Sequence, residues 1–143
     1  MNQVAILYPV FVQVLLVVVV GMSMAVARAR AVKTVGRERG NPDLAMGRFA
    51  WPDDAAKRAA NYRNQFEAPV LFYVLVLLVL NLRMSDIVLV TLAWIFVLTR
   101  LAHAYIHTSS NVIRLRGGVY GIGVLVLLLM WIWLAIRLLS ATV

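Results

Sequence analysis

The sequence predicts an all-α membrane protein, a four-transmembrane-helix bundle with both termini on the non-cytoplasmic side. Three observations predict it. The chain is 63% hydrophobic with a mean hydropathy of +0.87, well above the roughly 45–50% apolar usage of soluble domains. At 143 residues, a soluble fold has too much surface for its volume to hide that excess. The apolar residues fall into four runs, and the basic residues gather at one side of them.

A helix needs about 20 mostly apolar residues to cross a hydrocarbon core of roughly 30 Å. The first run is uncharged over 2–27 and the fourth over 117–136. Ala25-Val26-Ala27 resembles a signal-peptide cleavage site. However, the Met1-Asn2-Gln3 start lacks a basic n-region and the apolar stretch is too long, so the run reads as a retained span. Pro9 falls in its first turns, where a missing N–H is tolerated. The inner runs, 68–82 and 87–99, are each too short alone. They reach spanning length only if the second helix starts before Glu67 and the third continues past Arg100. Both inner helices therefore carry ionisable residues into the membrane. The expected helices are 3–28, 54–82, 86–108 and 117–139 of a single domain covering 1–143, with a basic cytoplasmic loop over 29–53. Gly36, Gly40, Asn41 and Pro42 break the chain within that loop. Trp51-Pro52-Asp53-Asp54 reads as a helix start with acidic residues suited to an N-terminus. The short connection Asn81–Asp86 makes the inner pair an antiparallel hairpin.

Orientation follows from the cations. Arg28, Arg30, Lys33, Arg37, Arg39, Arg48, Lys57 and Arg58 follow the first span, and Arg114 and Arg116 are expected in the loop after the third. Only Arg83 and Arg137 lie at the opposite side, ten against two, so the basic side faces the cytoplasm. The net charge of +8 thus matches anionic lipid headgroups rather than nucleic acid. Cysteine is absent, which excludes disulfides, thiolate metal sites and a cysteine nucleophile. No metal site is expected.

The intramembrane polar residues carry the functional signal. On the second helix Ala60, Asn64 and Glu67 share a face, and Arg63 lies four residues before Glu67. Asn61, Asn64 and Gln65 also suit interhelical hydrogen bonds. Pro69 removes an N–H and clashes with the Gln65 carbonyl, which predicts a kink and a free acceptor beside Glu67. On the third helix Arg100, His103 and His107 share a face. Counted from the hairpin, Glu67 lies roughly 24 Å and Arg100 roughly 21 Å along the helix axes. At that common depth a Glu67–Arg100 ion pair is expected, because neither charge tolerates lipid alone. The surrounding pocket is net basic. It suits a small carboxylate-rich zwitterion entering from the cytoplasm, with Glu67 receiving its ammonium and an apolar partner arriving from the lipid. Such a pocket also favours a ligand thiolate.

These residues resemble a known family. Asn64-x-x-Glu67 followed by Pro69, Ala27-Arg28-x-Arg30 ending the first helix, and Arg100-x-x-His103 with arginines after it look like the signature of the MAPEG family. Its members are the membrane-associated proteins in eicosanoid and glutathione metabolism, and this chain is similar to its bacterial type. The resemblance covers essentially the whole chain. It implies a homotrimer in the bacterial inner membrane, with glutathione as co-substrate between subunits near the cytoplasmic face. By the same resemblance, Asn64, Glu67, His103 and His107 contact glutathione, and Arg30 and Arg100 face its carboxylates. Arg114, with Arg116 as its competitor, assists thiol activation. The chain departs from the family's transferases at Ala60, where they carry arginine, and at Ala68, where several relatives have tyrosine. His103 and His107 stand where the leukotriene-forming enzyme has tyrosines.

The expected function is a membrane-bound glutathione-dependent transferase or peroxidase acting on lipophilic electrophiles or lipid hydroperoxides. Two alternatives fit the same residues. One is a non-catalytic relative that binds lipid or another membrane protein, and the other is a small proton-coupled transporter using Glu67.

Overall fold

The computed structural model describes residues 3–34, 50–109 and 112–141. Among these residues the secondary structure is helical. A short 3-10 turn, Gln3–Ile6, leads into α1 (Leu7–Thr34); then come α2 (Asp53–Asn64), α3 (Ala68–Asn81), α4 (Ile87–Thr108) and α5 (Ile113–Ala141). They make four segments long and apolar enough to cross a membrane: Gln3–Lys33, Asp53–Asn81, Ile87–Thr108 and Ile113–Ala141. Four crossings return the chain to the side it started from.

Three boundaries differ from those expected. The first helix continues to Thr34, because Ala29, Ala31, Val32 and Lys33 give it no breaker. The fourth begins at Ile113, so Arg114 and Arg116 are helical residues and not loop residues. Long arginine side chains let a helix run past the hydrocarbon, since their charged ends reach water while their stems cover apolar surface. The second span is two helices. Gln65 and Phe66 donate backbone N–H groups to the carbonyls of Tyr62 and Arg63 at 3.0 and 2.9 Å, closing α2 with tight turns. Pro69 then falls in the first turn of α3, where its missing N–H is harmless. Most of the expected loop, residues 35–49 with Arg37, Arg39 and Arg48, lies outside the described residues.

The break also changes packing partners. α2 rides on α1 and α4, whereas α3 packs on α5, α1 and the N-terminal turn. Around α3 the core is apolar: Ile6, Phe72, Leu75, Val79, Leu89, Phe96 and Met130 are buried, and Phe72 stacks on Phe96 with ring centroids 4.8 Å apart. α4 and α5 approach closely at Gly123, where an added Cβ would meet the Thr99 hydroxyl at 2.6 Å; small residues at such crossings are the usual means of membrane helix packing.

The hairpin is closed by hydrogen bonds at both its helix ends. Arg83 and Met84 donate backbone N–H groups to Leu80 and Val79, and Arg83 takes φ 54°. That is a Schellman stop with arginine where glycine is usual. Asp86 caps α4 by accepting from the Leu89 N–H at 2.9 Å. The same carboxylate accepts from Trp133 Nε1 at 2.9 Å and Arg137 Nη1 at 2.6 Å, fastening α5 to the turn.

Candidate functional site

The polar residues collect at the other half of the bundle, around the break in the second span. A backbone break in a membrane survives only where protein or a watery cavity satisfies the freed groups. Here Arg100 does so. Its side chain is 1% exposed, and Nη2 donates to the Asn64 carbonyl at 3.0 Å. The freed acceptor that is used is thus that of Asn64, one residue before the carbonyl expected from Pro69. Gln65 turns inward instead: its amide donates to the Asn61 carbonyl at 3.3 Å and its Oε1 accepts from Gln13 of α1 at 3.2 Å. Asn61 donates in turn to the Ala104 carbonyl at 3.3 Å. These three buried amides tie α1, α2 and α4 together, which is the interhelical role expected of Asn61 and Gln65.

Asn64, His103, His107 and Arg116 form one chain of contacts. His103 Nδ1 lies 3.2 Å from the Arg116 carbonyl, and its Nε2 lies 3.3 Å from Asn64 Nδ2. A carbonyl only accepts, so the proton of His103 sits on Nδ1 and Nε2 accepts from the amide. His107 Nε2 faces Arg116 Nη1 at 3.4 Å and, against a donor-only guanidinium, also accepts. The two rings meet edge to face, with centroids 5.8 Å apart. Of the two arginines that compete for a role in thiol activation, Arg116 is half-buried against the histidines, whereas Arg114 is exposed.

The expected Glu67–Arg100 ion pair is not formed among the described residues. Tyr120 of α5 stands between them: its hydroxyl donates to Glu67 Oε2 at 3.3 Å, while the Arg100 guanidinium lies 5.4 Å from its ring centroid. The same ring sits 5.5 Å from His103. The reason is the break itself, which gives Arg100 a backbone carbonyl to bind and leaves Glu67 exposed just before α3. Nε of Arg100 is buried without a hydrogen-bond partner among the described residues. Arg63 likewise does not reach Glu67, because the helix that would align them ends at Asn64.

Arg28 and Arg30 sit two residues apart and so project to nearly opposite sides of α1. Arg28 lies 4.9 Å over the Trp51 ring and shares with Trp51, Tyr62 and Arg63 a groove of about 350 Å³. Arg30 lines a different groove, with Asp54 and Arg58. Within this chain Arg28 is the one that neighbours Arg63, directly before Asn64, whereas Arg30, expected at the glutathione carboxylates, lines the groove with Asp54 and Arg58. Tyr120 went unnoticed in a span counted as uncharged; its position four residues after Arg116, on the same helix face, was the available signal.

A helical hairpin that carries Asn64, Glu67, Arg100 and His103 at one depth, within four spanning segments, is what the sequence resemblance requires. The MAPEG family model matches residues 6–136. The chain belongs to the MAPEG family. Comparison with curated proteins and with solved structures gives no match. MAPEG membership sets the chain among multi-pass membrane proteins of glutathione-related transferase, peroxidase or allied function, and leaves the particular reaction to be argued from the site.

Proposed function

We propose that this MAPEG protein binds glutathione at the broken second span and delivers its thiolate to a lipophilic electrophile or lipid hydroperoxide. The observation that supports this most is the pair of unmatched charges. Glu67 offers an exposed carboxylate held by one phenol, and Arg100 keeps a donor unused, with Arg116 and two accepting imidazoles alongside. Glutathione carries two carboxylates, one ammonium and one thiol. Glu67 takes the ammonium, Asn64 a peptide group, and the guanidinium groups take the carboxylates.

Arg114 and Arg116 lie in the first turns of α5. Cations there oppose the helix macrodipole at a cost of about 0.3–1 kcal/mol each. An anion bound at that end reverses the sign, since backbone dipole and side chains then act together. That suits the thiolate, so Arg116 carries the thiol-activating role in this reading and Arg114 supports it from the exposed side. Arg28 and Arg63 extend the basic surface toward a second carboxylate, Arg63 standing within one turn of the position where other transferases have arginine and this chain has Ala60. Catalysis then rests on stabilising the thiolate and holding two substrates together.

The ten-to-two cation bias supports a site that faces the cytoplasm, and the resemblance to the family's bacterial type supports a bacterial inner membrane. The family resemblance supports a homotrimer, with the lipophilic partner entering from the bilayer. Ala60 favours a second reading, in which the chain is a non-catalytic relative that binds lipid or protein.

Glutathione titration of the detergent-solubilised protein tests the reading. Ligand at a hundred times Kd should stabilise the fold by about 2.7 kcal/mol and raise the ultraviolet absorbance of the bound thiolate. Stabilisation without thiolate means that glutathione binds but is not activated; the absence of both signals refutes glutathione as ligand and favours the relative that binds lipid or protein.

A further inference from the structure

A second groove, on the other side of α1 from the Arg28–Arg63 surface, has a graded polarity. Its deeper part, about 220 Å³, is lined mostly by apolar side chains such as Leu16, Val20 and Leu101, with Asn61, Tyr105 and Thr108 beside them. Its outer part, about 350 Å³, ends at Arg30, Asp54 and Arg58. Val19 and Ser23 line both parts, so the two are one continuous furrow between α1 and α2, with α4 closing the deep end. Leu16 and Arg30 are fourteen residues apart on α1, or roughly 21 Å along the axis. That length matches one leaflet's hydrocarbon, about half of 30 Å, plus the adjoining headgroup layer.

The charged end is organised. Arg58 Nε reaches both carboxylate oxygens of Asp54 at 3.1 Å, and its Nη1 donates to Ser23 Oγ. Two contacts thereby fix the guanidinium at the mouth, while Nη2 makes none among the described residues. Asp54 is two-thirds exposed and retains lone pairs beyond those that meet Arg58. The Arg58 guanidinium and the Asp54 carboxylate are therefore presented together above a mostly apolar furrow, whose outer part Arg30 also lines.

We infer that this furrow is a binding site for a phospholipid whose headgroup carries a primary ammonium, of the phosphoethanolamine class. Its phosphate lies against Arg58 and Arg30, where guanidinium geometry favours phosphate. Its ammonium donates to Asp54, and one acyl chain runs down past Val19 toward Leu16. The carboxylate selects the headgroup: a choline ammonium has no N–H to give, and a glycerol headgroup brings no cation. This site shares only Arg30 with the residues expected to bind glutathione, and the variants that test it, at Asp54 and Arg58, lie outside the glutathione reading.

The test is native mass spectrometry of the delipidated protein with phosphatidylethanolamine, phosphatidylcholine and phosphatidylglycerol of matched chains. Phosphatidylethanolamine should be retained at about tenfold lower lipid concentration than either other lipid, the size expected of one charge-assisted hydrogen bond. Asp54→Asn should erase that preference, Asp54→Glu should keep it, and Arg58→Gln should weaken all three lipids, with melting curves confirming that each variant is folded. Equal retention of the three lipids, tightest binding of phosphatidylglycerol, or an unchanged preference in Asp54→Asn would overturn the proposal. So would efficient copy-to-copy disulfide formation by Val19→Cys, the sole cysteine in that variant, because a second chain would then fill the furrow.

Discussion

Replacing Arg100 by methionine separates a ligand-binding arginine from a structural clamp. The substitution removes the hydrogen bond to the Asn64 carbonyl, worth about 1.5–3 kcal/mol for a charged donor. It also removes the cation–π contact with Tyr120, about 0.5–2 kcal/mol. Against this, it relieves the desolvation of a charge that is 1% exposed and has no direct ion pair among the described residues, a penalty of several kcal/mol. The opposing terms nearly cancel, so Arg100→Met should melt within about 2 kcal/mol of the parent. Arg100→Ala leaves the same carbonyl unpaired and adds a cavity, costing about 2–5 kcal/mol more. Thermal unfolding in detergent, with and without glutathione, reads both quantities on one sample. The expected pattern is a near-native melt for Arg100→Met with the glutathione-induced shift lost. If Arg100→Met is as unstable as Arg100→Ala, or keeps the full glutathione shift, Arg100 serves only to hold the break together.

Tyr120→Phe removes the hydroxyl that orients Glu67 and should weaken glutathione by about 1 kcal/mol, or roughly fivefold in Kd, with stability little changed. An unchanged isotherm would exclude Tyr120 from the site. Asp86→Ala strips a helix cap and a half-buried ion pair at once; the loss should be about 1–3 kcal/mol, read as a lower melting temperature with glutathione binding intact. Gly123→Ala sets a Cβ against the Thr99 hydroxyl and should cost about 1–3 kcal/mol. Thr99→Ala should recover much of that loss in a double-mutant cycle, and strictly additive losses would refute the contact.

The bundle was legible in the sequence because the membrane makes each span a composition problem. Uncharged runs locate the outer helices, and the shortfall of 68–82 and 87–99 locates the charges that the inner pair must carry. What was not legible depends on rotation and packing. Whether Arg28 or Arg30 faces Arg63 is settled by how α1 turns against α2, which residue spacing alone does not give. The fourth span starts at Ile113, so Arg116 meets His107 while Arg114 is exposed, a difference that loop placement could not give. Pro69 promised a kink, yet the outcome is a complete break, because α2 and α3 are held by different neighbours. Tyr120 escaped notice because an aromatic body suits the apolar span while its hydroxyl serves the polar site.

The break also explains why Glu67 and Arg100 do not pair with each other. A direct ion pair would have to be pulled apart before either group could bind, and buried pairs resist losing a partner by several kcal/mol. Here the backbone of Asn64 occupies one donor of Arg100, and the phenol of Tyr120 engages one oxygen of Glu67. Each group is oriented by a neutral partner that does not cancel its charge. The structure tolerates both because one is exposed and the other is anchored to a carbonyl that only a broken helix sets free. A continuous second span would remove that carbonyl and leave Arg100 to seek Glu67. The broken span is thus what keeps the two charges apart, the arrangement on which the proposed binding of a zwitterion depends.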